Sequence, residues 1–171
     1  MTSASAVPIA VPDGYAPLPM GGEFIGANGP LYLRHVGDDV RLGFRVELRH
    51  TNPMRICHGG MMASFCDMLL PISVHRKSRE VGMRFLPTIS LQIDYLAPAP
   101  LGAWVEGEAQ VLRATRSLVF VQGLVSADGT PVARASGVFK IGPPFGDAFM
   151  PPSTASHPSA ASNASSEENP S

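Results

Sequence analysis

From residue 31 onward the chain changes repeatedly between two kinds of hydrophobic spacing. "LYLRHVGDDVRLGFRVEL" (31–48) sets short apolar runs on either side of Gly37-Asp38-Asp39, which predicts two strands around a turn. "TISLQIDYL" (88–96) alternates strictly. Ile89, Leu91, Ile93 and Tyr95 share one face, while Thr88, Ser90, Gln92 and Asp94 share the other, the period of a half-buried strand. "APAPLG" (97–102) breaks that run. "AWVEGEAQVLRA" (103–114) and "RSLVFVQGLVSA" (116–127) predict two further strands. Ala127-Asp128-Gly129-Thr130 then makes a hairpin turn into "PVARASGVFKI" (131–141). Between the first pair and the rest, an apolar run beginning near His58 is long enough for a helix.

The predicted order is strand, strand, one helix, then four strands. Successive hairpins after the helix imply an antiparallel sheet rather than parallel crossovers. The fold class is therefore α+β, with the sheet curling around the helix to bury both apolar faces.

The two ends read differently. The first 20 residues carry Pro8, Pro12, Pro17 and Pro19 and are expected to form a flexible extension. From 143 to 171 the chain turns to Pro, Ser, Ala and acidic residues, too polar to offset the entropy of ordering, and is expected to be a disordered tail. The folded domain is expected over 21–142.

Composition narrows the function. A length of 171 residues suits one domain, and 44% hydrophobic residues supply a core. A net charge of −1 with no basic run gives no reason to expect a nucleic-acid partner. A basic start followed by an apolar stretch is missing, as is a membrane span, so a cytoplasmic location is the default expectation. Cys57 and Cys66, on or beside one helix, would lie about 13 Å apart along its axis. A disulfide needs Cα atoms within about 7 Å, so both thiols are expected free, as in a reducing compartment. Two cysteines and scattered histidines make no metal constellation, and no metal or cofactor is expected.

The candidate chemistry lies in "HTNPMRICHGGMMASFCDMLLPISVHR" (50–76). Gly59 and Gly60 stand at the head of the helix, where the first amides have no helical partner and the dipole contributes about half a positive charge. The Gly59 N–H could hold an oxygen that becomes negative, or the pair could only turn the chain tightly. Asp67 has Met61, Met62, Phe65, Cys66, Met68, Leu69 and Leu70 around it in sequence. An unpaired buried carboxylate is costly, so it is either partnered structurally or poised for chemistry. Pro71 cannot donate to the Asp67 carbonyl, which predicts a kink or an early helix end.

Gly59 and Asp67 are eight residues apart, roughly 12 Å along a helix. Reacting atoms must come within about 3–3.5 Å. If both serve one reaction, Asp67 must come from a second copy packed alongside, giving two identical sites in a two-fold dimer.

The pattern Asn52-x5-His58-Gly59-Gly60-x6-Asp67, followed by "TISLQIDYLAP" (88–98), resembles hotdog-fold acyl-CoA thioesterases of the phenylacetate-degradation (PaaI-like) type. The resemblance runs from about Leu31 to Ile141. It implies a curled antiparallel sheet around one central helix, assembled as a homodimer or homotetramer, acting on an acyl-CoA or aryl-CoA substrate. It further implies that Gly59 N–H polarises the thioester carbonyl and that the partner's copy of Asp67 is general base or nucleophile. Asn52 and His58 would order the loop and position substrate or water. Gly60 and Thr88 would border the substrate. Arg113 and Arg116, flanking "LRATRS" (112–117), could meet the phosphates of coenzyme A, or could be ordinary turn charges. Members of the family often carry glycine where this chain has Arg55, which leaves the path of the loop before His58 open. Two alternatives stand beside hydrolysis: a non-catalytic acyl-CoA binding or regulatory protein, and a hotdog hydratase acting on enoyl thioesters.

Overall fold

The structure is a computed structural model, and it describes residues 10–145. Seven strands form one antiparallel sheet in the order β1-β2-β3-β5-β6-β7-β4. They are β1 (Ala16–Pro17), β2 (Tyr32–Val36), β3 (Asp39–Arg45), β4 (Thr88–Tyr95), β5 (Trp104–Ala114), β6 (Leu118–Ala127) and β7 (Thr130–Lys140). A short helix α1 (Gly22–Asn28) precedes β2, and the long helix α2 (Gly59–Lys77) lies between β3 and β4. Two of the three hairpin turns use the turn residues the sequence offered. Gly37 takes φ 60° between β2 and β3, and Asp128 and Gly129 take φ 45° and 84° between β6 and β7, the left-handed conformations of tight hairpins.

Four features depart from the sequence-based picture. The N-terminal segment is ordered before residue 20. Ala16 and Pro17 pair with Leu33 and Tyr32, and Tyr15 stacks edge-on against Trp104 at 4.9 Å while its hydroxyl bonds to Glu106 at 2.6 Å. A second helix, α1, joins the expected one and buries Ile25. Third, α2 does not end at Pro71 but runs to Lys77. Leu70, Ile72 and Val74 beyond or beside the proline are buried, and their packing outweighs one lost backbone hydrogen bond. At the other end, Phe85 N–H bonds to Pro143 O at 2.9 Å and Phe145 N–H to Met83 O at 3.1 Å, so 143–145 continue the fold. The rest of the expected tail, 146–171, lies outside the described residues.

The core sits between the sheet's concave face and α2. Phe65, Cys66, Leu69 and Leu70 are fully buried and meet β5, β6 and β7. The strands make room with small residues. A side chain at Gly107 would stand 2.5 Å from Leu69 Cδ2, and one at Gly137 would stand 2.9 Å from Leu70 Cδ1. The helix therefore seats against bare backbone. It is covered by its own chain on all sides but one. Gly60 is exposed, and Ala63, Ser64, Asp67, Met68 and Pro71 are only partly buried; they form a stripe at helical spacing that the sheet leaves open.

Candidate active site

Asn52 builds the loop that leads into α2. Its Oδ1 accepts from Met54 N–H at 3.0 Å and Ile56 N–H at 3.4 Å, while its backbone pairs with Ile56 O and Arg55 N–H. This is the self-bonding that asparagine favours in turns. The loop carries Arg55 in the left-handed region at φ 57°, a conformation that glycine takes without strain. The path of the loop is thus the one glycine would favour, kept here by an arginine.

His58 is the N-cap of α2. Its Nδ1 accepts from Gly60 N–H at 2.9 Å, which leaves the proton of the neutral ring on Nε2. The Gly60 amide is therefore engaged by the cap. Among the described residues the Gly59 N–H has no hydrogen-bond partner. Neither glycine has a positive φ, so a tight turn does not account for them. A side chain at Gly60 would crowd His58 Nδ1 at 3.0 Å, whereas at Gly59 the nearest atom, Tyr95 Oη, is 3.4 Å away, an ordinary contact. The chain's own sterics do not require glycine at 59.

Asp67 is half-buried, not enclosed by apolar groups as the sequence suggested. The rotation of α2 that buries Phe65, Cys66, Leu69 and Leu70 leaves Asp67 on the open stripe. Its Oδ1 accepts from Thr88 Oγ1 at 2.6 Å. Strict alternation had put Thr88 on the face opposite Tyr95. A bulge at Ile89, between the pairs Thr88–Phe139 and Ser90–Val138, resets the alternation and turns Thr88 toward the helix. Sequence reasoning did not single out Tyr95 as a site residue. Its hydroxyl donates to Gly59 O at 2.8 Å, and a hydroxyl on the inward face of a strand was the available signal.

The neighbouring thiols are quiet. Burial pushes Cys57 up to about 11 and Cys66 up to about 12, the latter helped by the charge of Asp67. Both are free cysteines.

Arg113 and Arg116 are exposed at the β5–β6 turn. They share the end of the sheet with Thr88, through the pairs Thr88–Phe139, Phe139–Val119 and Val119–Ala114. Three strand spacings, roughly 14 Å, intervene, so the structure does not bring them to Asp67. At the exit of α2, His75 bonds Arg84 O, Arg76 bonds His35 and Lys77 pairs with Asp39 at 2.9 Å; those three groups are occupied within the chain. Among the described residues no helix is long and apolar enough to cross a membrane.

The family model for the thioesterase superfamily matches residues 54–133, from the loop before His58 to β7. A Pseudomonas aeruginosa protein, an esterase by name, is 26% identical over 132 residues, 77% of this chain and 97% of its own length. Among solved structures, a thioesterase by name from Ralstonia eutropha, related to phenylacetic acid degradation, superposes with TM-score 0.61 at 25% identity, over 74% of this chain and 92% of that one. The zebra fish thioesterase superfamily member 2 gives 0.60 at 23%, over 71% and 87%. The curled sheet around α2 and these matches lead to one conclusion: the chain is a hotdog-fold thioester hydrolase that is similar to the thioesterase superfamily over residues 54–133, with phenylacetic acid degradation proteins among its structural neighbours.

Proposed function

We propose that the protein hydrolyses acyl-CoA or aryl-CoA thioesters at two equivalent sites shared across a homodimer. Gly59 N–H receives the developing oxyanion, and the partner copy's equivalent of Asp67 acts as general base or nucleophile. Thr88 holds the carboxylate, His58 and Asn52 set the amide's position, and Gly60 borders the substrate. Arg113 or Arg116 meets the phosphates of coenzyme A at the mouth. The reaction needs water and these groups, and no cofactor.

One observation carries the reading. Asp67 and the unpartnered Gly59 amide both lie along the uncovered side of α2, yet eight helical residues, roughly 12 Å, keep them apart. A two-fold packing of α2 stripe on α2 stripe brings each amide to the other chain's carboxylate. The exposed surface favours such packing. β4 is an edge strand with β7 on one side only, and Ile89, Tyr95 and Leu96 beside it are more than half exposed. A long edge carrying large apolar groups is a template for a second copy. The apolar residues Met68 and Met54, the latter 78% exposed, suit an oily acyl group, since methionine adapts to irregular shapes.

The test is complementation. Asp67→Asn and Gly59→Val chains, each inactive alone, are mixed, unfolded and refolded together, and thiol release is followed with a panel of CoA esters. About a quarter of wild-type activity per chain is expected, because half the molecules are heterodimers and each of these holds one intact site. No recovery in verified heterodimers would sink the shared site. Tight binding of CoA esters by wild-type protein without thiol release would make it a binding protein instead.

A further inference from the structure

We infer that Tyr95 is a positioning residue for the oxyanion site, acting through the peptide that joins Gly59 to Gly60. The inference rests on the function proposed above. That peptide is held at both ends. Its carbonyl oxygen accepts from Tyr95 Oη at 2.8 Å, and its N–H donates to His58 Nδ1 at 2.9 Å. With oxygen and nitrogen both fixed, the plane cannot rotate, and the Gly59 α-carbon is fixed with it.

The need for such a hold follows from the residues. Two successive glycines lack the side chains that restrict φ and ψ, so the first turn of α2 is the most pliable point of the helix. First-turn residues also lack the full set of helical hydrogen bonds. An oxyanion donor must stand about 2.7–3.1 Å from the developing charge, and a displacement of about 1 Å can cost about 10²-fold in rate. The His58 cap alone fixes one end of the plane. The carbonyl end takes the helical bond from Ala63 N–H, and Tyr95 adds a second hold on it from a different element, since Tyr95 is the last residue of β4 and is itself tied through the backbone pair Tyr95–Ala133 to β7.

The same strand serves both halves of the chemistry. Thr88, its first residue, bonds Asp67, and Tyr95, its last, bonds Gly59. Because β4 is also the free edge, docking of a second copy along it would set the strand, and through it both groups of α2. Tyr95 does not touch the reacting atoms in this arrangement. Its hydroxyl is directed to a backbone carbonyl, on the far side of the peptide from the cap.

The experiment uses the full chain and the Tyr95→Phe variant, which keeps the ring and deletes the hydroxyl. Hydrolysis of phenylacetyl-CoA and hexanoyl-CoA is followed by thiol release, with the melting temperature and dimer mass measured in parallel. For the ester the wild type turns over faster, kcat is expected to fall about 10-fold or more, with KM within about two-fold, an intact dimer and a melting temperature within about 2 °C of wild type. In a ¹⁵N-labelled sample, the Gly60 amide is expected to exchange faster with solvent in the variant. An unchanged kcat in an otherwise active protein overturns the role of Tyr95 and leaves the hydrolase reading standing. A fall in kcat matched by loss of the dimer or of thermal stability makes Tyr95 a structural strut and also overturns it. A wild type inactive toward every CoA ester overturns the hydrolase reading, and the role of Tyr95 with it.

Discussion

Thr88 Oγ1 lies 2.6 Å from Asp67 Oδ1 and donates to it, so the first residue of the edge strand holds the one carboxylate on the central helix. Two variants separate the parts of this pair. Asp67→Asn keeps shape and hydrogen bonding but removes charge and basicity. It is expected to lower kcat about 10²-fold or more, as loss of a general base does, with the dimer intact by light scattering. Thr88→Val keeps the shape of the threonine but frees the carboxylate to rotate, and a fall of about 10-fold is expected. If Asp67→Asn retained activity, the aspartate would be no more than a partner for Thr88.

Gly59→Ala asks whether the glycine is there for the fold or for a ligand. An alanine side chain would make only an ordinary contact with Tyr95 Oη at 3.4 Å, and the backbone has no positive φ to object to it. Alanine also favours a helix over glycine by up to about 1 kcal/mol. Stability to urea is therefore expected to be unchanged or slightly raised. On the proposed mechanism thiol release is expected to fall, since the methyl group would intrude where the substrate oxygen approaches the amide. A loss of stability and activity together would return Gly59 to a purely structural role.

Much of this arrangement was legible in the sequence, and what was missed has physical causes. The strands, two of the hairpin turns and the start of α2 at Gly59 follow from local signals: alternation, Gly-Asp and Asp-Gly turns, and a long apolar run. The side of Asp67 was misjudged because an apolar run on all faces of a helix does not say which face a sheet will cover. That choice was made on β5 and β7, where Gly107 and Gly137 admit Leu69 and Leu70. Thr88 changed faces because of a bulge at Ile89, which alternation alone cannot reveal. The N-terminal segment looked loose by its prolines, yet Tyr15 finds Trp104 and Glu106, partners about 90 residues away that no local pattern announces.

Arg55 offers a stability gain. It holds φ 57°, a region that costs a residue with a side chain about 1–2 kcal/mol, while its N–H and C=O bond to Asn52 O and Leu101 N–H. Arg55→Gly keeps those backbone bonds and removes the strain, but adds freedom to the unfolded chain. A net gain of about 0.5–1 kcal/mol is expected from denaturant unfolding. Unchanged KM for a CoA ester is expected as well, for an arginine that carries only a solvated loop charge. A raised KM would instead assign it to the coenzyme's phosphates.

Stability should fall on mild acidification. Burial lowers His50 below the ordinary 6.5, with the nearby charge of Arg49 adding to it, and burial likewise lowers His75 against the opposing bond to Arg84 O. The folded protein thus binds fewer protons than the unfolded chain in this range. The stabilisation is fully present above about pH 6.5 and is lost as pH falls below it, through the lower folded values. The melting temperature at constant ionic strength is expected to hold between pH 7 and 8 and to drop from pH 6.5 to 5. In His75→Gln, whose amide can still donate to Arg84 O, the drop should be smaller; an equally steep drop would exclude His75 as a source.

The contact between α2 and the sheet makes the last prediction. At Gly137 a methyl group would stand 2.6 Å from Phe139 Cε2 and 2.9 Å from Leu70 Cδ1, closer than carbon atoms pack. Phe139 and Leu70 are fully buried, so neither can swing into solvent to give way. Gly137→Ala is expected to cost about 1–3 kcal/mol, as overpacked cores do. Gly26→Ala in α1 is the control, because nothing lies within 4 Å of its side-chain position; there alanine should be neutral or mildly stabilising. Leu70→Ala alone opens a cavity and should cost about 2–5 kcal/mol. Joined with Gly137→Ala, the space left by one change receives the methyl group of the other. The double variant should be more stable than the sum of the single losses by about 0.5–3 kcal/mol, measured by urea unfolding. Strict additivity would mean that Leu70 and the β7 backbone are not in the close contact on which the seating of α2, and hence the direction of Asp67, depends.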